Sequence, residues 1–203
     1  GGESFTTVDN LTYKLPKGAI IIKDSQRIID LCGIKGGLNS GIKNSTKTVY
    51  LQVTADDPLL IRRASQELGL RSDASAIFER GVDKGGLIRN LKRAAGLMLE
   101  LGEGEIASKI IDLQEKKYLP WNSKLNLDKL TKVLGIKISE MEVISILSYL
   151  NLNPRKAGNI ISVTVPTYRT DLKIEEDLIE EVARVYGYNN LPMDVLTKDL
   201  QRF

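Results

Sequence analysis

Ile161, Val163 and Val165 alternate with Ser162 and Thr164. A two-residue period of this kind predicts a strand with one buried face, and Pro166 marks its end. Further on, Ile174, Leu178, Val182 and Val185 recur every three or four residues. That spacing predicts a helix over roughly Ile174 to Tyr186 with this stripe facing inward. Upstream, Asn126 is placed to cap a short helix running to Leu134, with Gly135 as its stop. Ser139 and Glu142 have capping-box spacing for the next helix, and Ile138 and Val143 flank it as a hydrophobic staple. Ile146, Leu147 and Leu150 continue that apolar face, and Asn151 to Gly158 reads as a loop. Two short helices, a strand and a third helix make a compact α+β module.

The first half is patterned differently. Ala19 to Ile22 is a short buried-strand candidate, Asp24 to Gln26 a hairpin turn, and Arg27 to Cys32 the return strand. Lys47 to Thr54 alternates, with Val49, Leu51 and Val53 on one face, and predicts a further strand. Asp57-Pro58 opens a helix, because Asp caps well and Pro suits the first helical position. Leu60, Ala64 and Leu68 form its stripe, and Gly69 ends it. A second helix is expected over about Lys84 to Leu101, with Leu87, Leu91, Ala94, Met98 and Leu101 apolar. Ile106 to Leu113 leans towards a strand. The polar run Glu115-Lys116-Lys117 and then Pro120 mark a domain boundary, giving 1–117, 118–194 and a linker over 195–203.

Composition narrows the chemistry. With 203 residues, 42% of them hydrophobic and 27% charged, the chain can bury a core. A net charge of +3 is too small for indiscriminate nucleic-acid binding, so any RNA contact rests on local patches. The single cysteine, Cys32, excludes an internal disulfide and fits a reducing, cytoplasmic setting. It reads as a small buried residue. No apolar run nears the length of a membrane span, and the opening GGESFTTVDN lacks the pattern of a signal peptide. Asn44-Ser45-Thr46 is a chance sequon. There is no histidine, which removes histidine-based acid–base chemistry, histidine metal sites and Ser-His-Asp triads from these residues.

Val165 to Pro192 is the densest stretch. Asp171 precedes the last helix, and Asp177, Glu180 and Glu181 fall on one side of it. An all-oxygen cluster suits a hard cation such as Mg2+. The plainer alternative is a solvated face, with Glu180 and Arg184 paired four residues apart and the acids favoured by the helix dipole. The glycines from Gly33 to Gly41 do not form a phosphate loop, since Gly41 is followed by Ile42 rather than Lys. They read as turn glycines or as a close backbone approach to a substrate. Arg62, Arg63, Arg71, Arg80, Arg89, Lys92 and Arg93 are either solvated helix faces or phosphate-steering cations. Trp121, Tyr168 and Tyr186 pack in a core or stack on bases.

Several of these pieces together resemble the beta subunit of bacterial phenylalanyl-tRNA synthetases. VPTYRTD, EEDLIEEVARVYGY, NNLP, Leu134-Gly135 and the capped helix before them are similar to that family's fifth domain. The resemblance implies a winged-helix-like α+β module with a nucleic-acid-binding type of fold. It also implies Mg2+ on Asp171, Asp177, Glu180 and Glu181, shared with an alpha subunit. GIKGGLNSGI (33–42), DPLLIRRASQELGLRSDASAIFERGVD (57–83) and the stretch from Ala94-Ala95 to Glu105 resemble the carboxy-terminal part of the family's editing domain, a mixed α/β domain that hydrolyses tyrosine mischarged onto the phenylalanine tRNA. Pocket positions implied are Gly33, Gly36, Ser72 and Ala74, with Ser72 standing where a threonine is usual and Ala74 acting as a size gate. Arg62, Arg63 and Arg71 bracket the place where a tRNA 3′ end would arrive.

Two departures stand out. The family's pocket glutamate falls on Gln52, which can form hydrogen bonds but cannot act as an anion or a base. The pocket histidine would precede Gly1, so the chain is expected to begin inside the editing domain, near Thr7-Val8-Asp9-Asn10. The overall expectation is an α/β (α+β) chain: a truncated editing-type domain followed by the winged-helix-like domain. It would belong to a cytoplasmic α2β2 ligase with tRNA(Phe) as partner and ATP used on the alpha subunit. Little or no deacylase activity is expected of the chain alone. The competing reading is a non-catalytic module for nucleic-acid contact or subunit docking, with a degenerate editing pocket.

Overall fold

The computed structural model describes residues 1–102, 104–114 and 116–192. The chain divides into two compact units, with the division between Lys117 and Tyr118. Glu115, at the expected boundary, and the expected linker over 195–203 lie outside the described residues.

The first unit opens with β1 (Ser4–Thr6) and β2 (Thr12–Lys14), an antiparallel pair. β3 (Ile21–Lys23), β4 (Ile28–Leu31) and β5 (Lys35–Gly36) follow as a three-stranded antiparallel sheet with β4 in the centre. The turn between β3 and β4 is held by Asp24, whose carboxylate accepts the N–H groups of Gln26 and Arg27 at 2.8 Å each. α1 (Pro58–Glu67) begins where the sequence indicates: the Asp57 side chain accepts from Leu59 N and Leu60 N. Its buried face is rotated from the expected stripe. Ile61, Ala64 and Ser65 are buried, whereas Leu60 and Leu68 are only half-buried. α2 (Asp73–Phe78) and α3 (Leu87–Gly102) complete the unit. Its core is Phe5, Leu15, Leu31, Ile34, Ile61, Ala64 and Leu70.

Three expectations for this unit need correction. Lys47 to Thr54 is not a strand but an irregular, largely exposed segment, with Tyr50 81% exposed. Strand structure requires a hydrogen-bonding neighbour, and no described strand pairs with this segment, so the alternation alone does not produce one. Ile106 to Leu113 is likewise irregular, with Ile106, Ile110, Ile111 and Leu113 exposed. α3 forms over the expected range, yet none of its side chains is buried among the described residues, and Met98 and Leu101 of the expected stripe are exposed.

The second unit is a three-stranded antiparallel sheet, ordered β6-β8-β7, packed against three helices. β6 (Trp121–Asn126), α4 (Leu127–Leu134), α5 (Glu140–Tyr149), β7 (Arg155–Ala157), β8 (Ile160–Val165) and α6 (Glu175–Tyr186) follow in order. The alternation in β8 holds: Ile161, Val163 and Val165 are buried and face the helices. β6 pairs with β8 along its full length, Trp121 opposite Val165 and Asn126 opposite Ile160. Asn126 ends β6 and caps α4 at once, its Oδ1 accepting from Asp128 N (2.8 Å) and Lys129 N (3.2 Å). Gly135 stops α4 with a left-handed φ of 71°, a conformation that suits glycine. Ser139 caps α5 through Glu142 N, and Ile138 and Val143 are both buried in the one core. The expected loop at 151–158 holds β7, reached through left-handed Asn151 and Asn153.

Candidate functional site

The expected pocket positions of the first unit come together in part. Gly33 forms the turn between β4 and β5 with φ of 65°. A Cβ there would stand 2.5 Å from Ile61 Cδ1 and 3.2 Å from Phe78, so glycine is required by close packing against α1 and α2. Ser72 caps α2 reciprocally: its Oγ accepts from Ser75 N at 3.1 Å, and its N–H donates to Ser75 Oγ at 2.9 Å. Ser72 Oγ also donates to the Ile34 carbonyl at 2.5 Å, pinning the start of α2 to the Gly33 turn. Gly33 and Ser72 are thus neighbours through Ile34, as a shared site requires, and the serine hydroxyl is engaged in holding them. Ala74 lies half-buried on the first turn of α2. Gly36 lies in β5 opposite Asp30, and a Cβ there would meet Asp30 and Val8 at ordinary contact distance. Gln52 is exposed on the irregular segment. None of the five lines a cleft of about 850 Å³ in this unit, whose wall includes Phe5, Asn10, Lys23, Arg27 and Asn39.

Beside this turn lies a cluster that sequence reasoning did not single out. Asp30 is pushed above its ordinary value by burial and by the Asp56 carboxylate. Cys32 is buried, and desolvation with Asp56 and Asp30 nearby pushes its thiol up to about 12. A thiol so shifted is not a nucleophile near neutral pH, in keeping with the expectation for Cys32. The predicted RNA-contact cations are solvent-facing. Arg62 and Arg63 lie on the exposed side of α1, and Arg71 is exposed, with Glu79 3.8 Å from its guanidinium.

In the second unit the four carboxylates do not converge. Asp177 turns back on the start of α6, accepting Lys173 N at 2.6 Å and Ile174 N at 2.8 Å. Glu180 is exposed. Asp171 and Glu181 are joined through Arg169, which contacts Asp171 Oδ2 at 2.6 Å and Glu181 Oε1 at 3.2 Å. Arg184 pairs with Glu181 at 2.7 Å rather than with Glu180. The hydrogen bond from Arg169 holds Asp171 below its ordinary value, and Asp171 in turn raises the guanidinium. Burial opposes ionisation of Glu181, but hydrogen bonds from Arg184 and Arg169 prevail and lower it. Among the described residues no three His, Cys, Asp or Glu side chains are grouped to hold a metal ion. Carboxylates are the right donors for Mg2+, but two of these four are neutralised by guanidinium and a third is bound to backbone, so this arrangement does not fit the ion.

A second ionic tie escaped the sequence. Glu175, in the first turn of α6, accepts Asn126 N (2.6 Å) and Lys129 Nζ (2.8 Å), and Lys129 also reaches Glu176 at 2.6 Å. This links α4 to α6; the signal was present only as separate charges 46 and 47 residues apart. Trp121 donates to the Leu172 carbonyl at 3.0 Å and Tyr186 packs on the core, so both follow the packing reading; Tyr168 is exposed.

A packed strand-and-helix unit carrying a serine-pinned glycine turn, followed by a small sheet-and-three-helix unit, matches known domains. The chain belongs to the B3/4 domain family, whose profile matches residues 1–103; the tRNA synthetase B5 domain matches residues 123–188. Its similar relatives are phenylalanine–tRNA ligase beta subunits. That of Protochlamydia amoebophila is 40% identical over 192 residues, 94% of this chain and 24% of that protein. Those of Clostridium tetani (36% over 191 residues, 94% of this chain and 24% of the relative) and Latilactobacillus sakei (35% over 199 residues, 98% and 25%) are similar. The chain spans about a quarter of the length of these curated relatives. The mixed α+β architecture agrees with both domain matches.

Proposed function

We propose that this chain works as the B3/4–B5 portion of a phenylalanine–tRNA ligase beta subunit. In the assembled enzyme it contributes to tRNA binding and to clearing tyrosine from the phenylalanine tRNA. Its partners are the alpha subunit, in an α2β2 complex in the cytoplasm, and tRNA(Phe). ATP and Mg2+ serve aminoacylation in the complete enzyme, on the alpha subunit. The observation that carries this reading is the order of the two domains in one chain, aligned with the relatives over at least 94% of its length.

The geometry supports a limited role for these residues. Hydrolysis of an aminoacyl ester requires a water held against the carbonyl and a group to receive its proton. At the Gly33 turn, Ser72 Oγ already donates to Ile34 O, and Gln52 has no basic form. Gly33, Gly36, Ser72 and Ala74 would shape the floor of the pocket, and Arg62, Arg63 and Arg71 would steer phosphates. Tyrosyl-tRNA deacylation tests the proposal on the 203-residue chain and on the intact alpha–beta enzyme with Gln52 or Gln52→Glu. The chain alone is expected to be inactive and the assembled enzyme active. An assembled enzyme that binds tRNA but clears no mischarged product with either residue would overturn the editing role.

A further inference from the structure

Arg169 occupies the centre of the acidic face. It leaves the turn after β8, where its N–H donates to the Pro166 carbonyl at 3.0 Å and its own carbonyl accepts from Leu172 N at 3.3 Å. Its guanidinium then uses all three nitrogens. Nε donates to Asp171 Oδ1 at 3.0 Å, Nη2 to Asp171 Oδ2 at 2.6 Å and Nη1 to Glu181 Oε2 at 3.3 Å. Arg184 takes the same Glu181 from the other side, through Nε at 3.3 Å and Nη2 at 2.7 Å. Every oxygen of Asp171 and Glu181 therefore faces a guanidinium nitrogen. The two acids and two arginines cancel in formal charge, so the group exerts no net pull on a cation. Glu181 is buried and Arg169 is mostly covered, its side chain 18% exposed, so this is not a loose surface pair.

We propose that Arg169 is the resident cation of this face. Its planar fork does what a divalent ion would otherwise do, tying the Pro166–Leu172 turn to α6, and arginine and metal are mutually exclusive occupants. Mg2+ demands oxygens at about 2.0–2.1 Å in octahedral array and sheds water reluctantly. To enter between Asp171 and Glu181 it would have to displace a bidentate guanidinium, a strong partner for carboxylate. The fold of this chain is then independent of divalent metal, and Arg169 is a positioning residue.

The test uses the full chain with Mn2+ as a paramagnetic stand-in, followed by electron paramagnetic resonance. The native chain should show no saturable site tighter than about 1 mM, the weak end of natural oxygen-ligand sites. Its melting temperature should be unchanged by 10 mM Mg2+ (on the order of a physiological excess) or by a chelator. Arg169→Met frees Asp171 and leaves Glu181 to Arg184 alone, and should gain a saturable Mn2+ site at least tenfold tighter than the native chain. Arg169→Lys, which presents one ammonium in place of a fork, should fall between the two and carries the test if Arg169→Met does not fold. Saturable binding by the native chain below that level overturns the proposal. So does a folded Arg169→Met or Arg169→Lys chain that gains no binding, since a purely structural arginine would give that result.

Discussion

The two units meet the same requirement, a buried apolar core, to different extents. Among the described residues the second unit gathers fifteen buried hydrophobic side chains into its core cluster and the first only seven, although the first is the longer. In the second unit the faces of β8, α5 and α6 that the pattern marks as apolar are covered, apart from Ile174 at the head of the α6 stripe, which is 56% exposed. In the first, α3 and the segment after it carry Leu97, Met98, Leu99, Leu101, Ile106, Ile110 and Ile111 in the open. The lesson is that periodicity reports which face can be buried, while burial itself depends on what packs there. The sharpest way to break the comparison is a large-to-small change in each core. Leu147→Ala, at a site with no exposed surface, should cost about 2–5 kcal/mol. Urea unfolding followed by Trp121 fluorescence checks this, because the single tryptophan reports the second unit. Ile61→Ala should leave that transition in place and shift only the helix signal. An equal shift in the Trp121 transition would show that the units unfold together.

Next in size come the residues that fix the Gly33 turn. Gly33→Ala places a Cβ 2.5 Å from Ile61 Cδ1 in a left-handed conformation, and should destabilise the first unit by about 1–3 kcal/mol. Ser72→Ala removes a cap and leaves the Ile34 carbonyl without that donor, a loss of about 1–2 kcal/mol in a thermal melt. Ser72→Thr keeps the hydroxyl and should recover most of it. If Ser72→Ala left stability untouched, the hydroxyl would be free for substrate and the scaffold role would be wrong.

These positions also show where the sequence was legible. Local rules worked when every partner lay within a few residues: Asp57 capping α1, Asn126 capping α4, Gly135 ending it, Ser139 starting α5. The part Ser72 plays as the cap of α2 is not legible, because its partner three residues later is Ser75 rather than the Glu or Gln of the usual capping-box pattern. β6 is hard to read from the sequence although Trp121 and Leu125 share a face, because polar Ser123 stands between them on that face and leaves only two apolar positions in the alternation. Lys47 to Thr54 failed in the opposite sense, with good alternation and no described partner strand. The acidic face was legible as composition only. That Arg169 would enter it depends on the turn after Pro166, and residue spacing along a helix says nothing about a cation arriving from outside that helix.

Acid should act in opposite directions on Glu181 in the second unit and Asp30 in the first. Glu181 and Asp171 are held below their ordinary values of 4.5 and 3.8. Groups depressed in the folded state stabilise it above the unfolded value and lose that contribution as pH falls through the folded one. The second unit should therefore weaken progressively from about pH 4.5 downward, and Glu181→Gln should flatten that limb of the Trp121-reported melt. Asp171 is more than half exposed, so solvent screening makes it the smaller contributor. Asp30, raised by burial and by Asp56, works the other way. Its contribution is present below 3.8 and is lost as pH rises through its folded value, so Asp30→Asn should stabilise the first unit at neutral pH and not in acid. An Asp30→Asn chain no more stable than the native one at neutral pH would remove this distinction.

The smallest effect separates ion pairs that organise a unit from those that decorate it. Lys156 and Glu140 pair within the second unit, but their side chains are 35% and 52% exposed, and among the described residues neither joins a further ion pair. Holding two long side chains together in water gains little beyond their lost freedom. Lys156→Gln should therefore change stability by no more than about 0.5 kcal/mol, and added salt should erase even that. Lys129 carries the same charge in a different setting. It binds Glu175 and Glu176, and Glu175 also satisfies the N–H of Asn126, the residue that ends β6 and starts α4. Lys129→Met frees a carboxylate that is itself a backbone partner, so it should cost distinctly more than Lys156→Gln and resist salt better. Equal losses in the two urea titrations would mean that the α4–α6 tie is no more than surface charge.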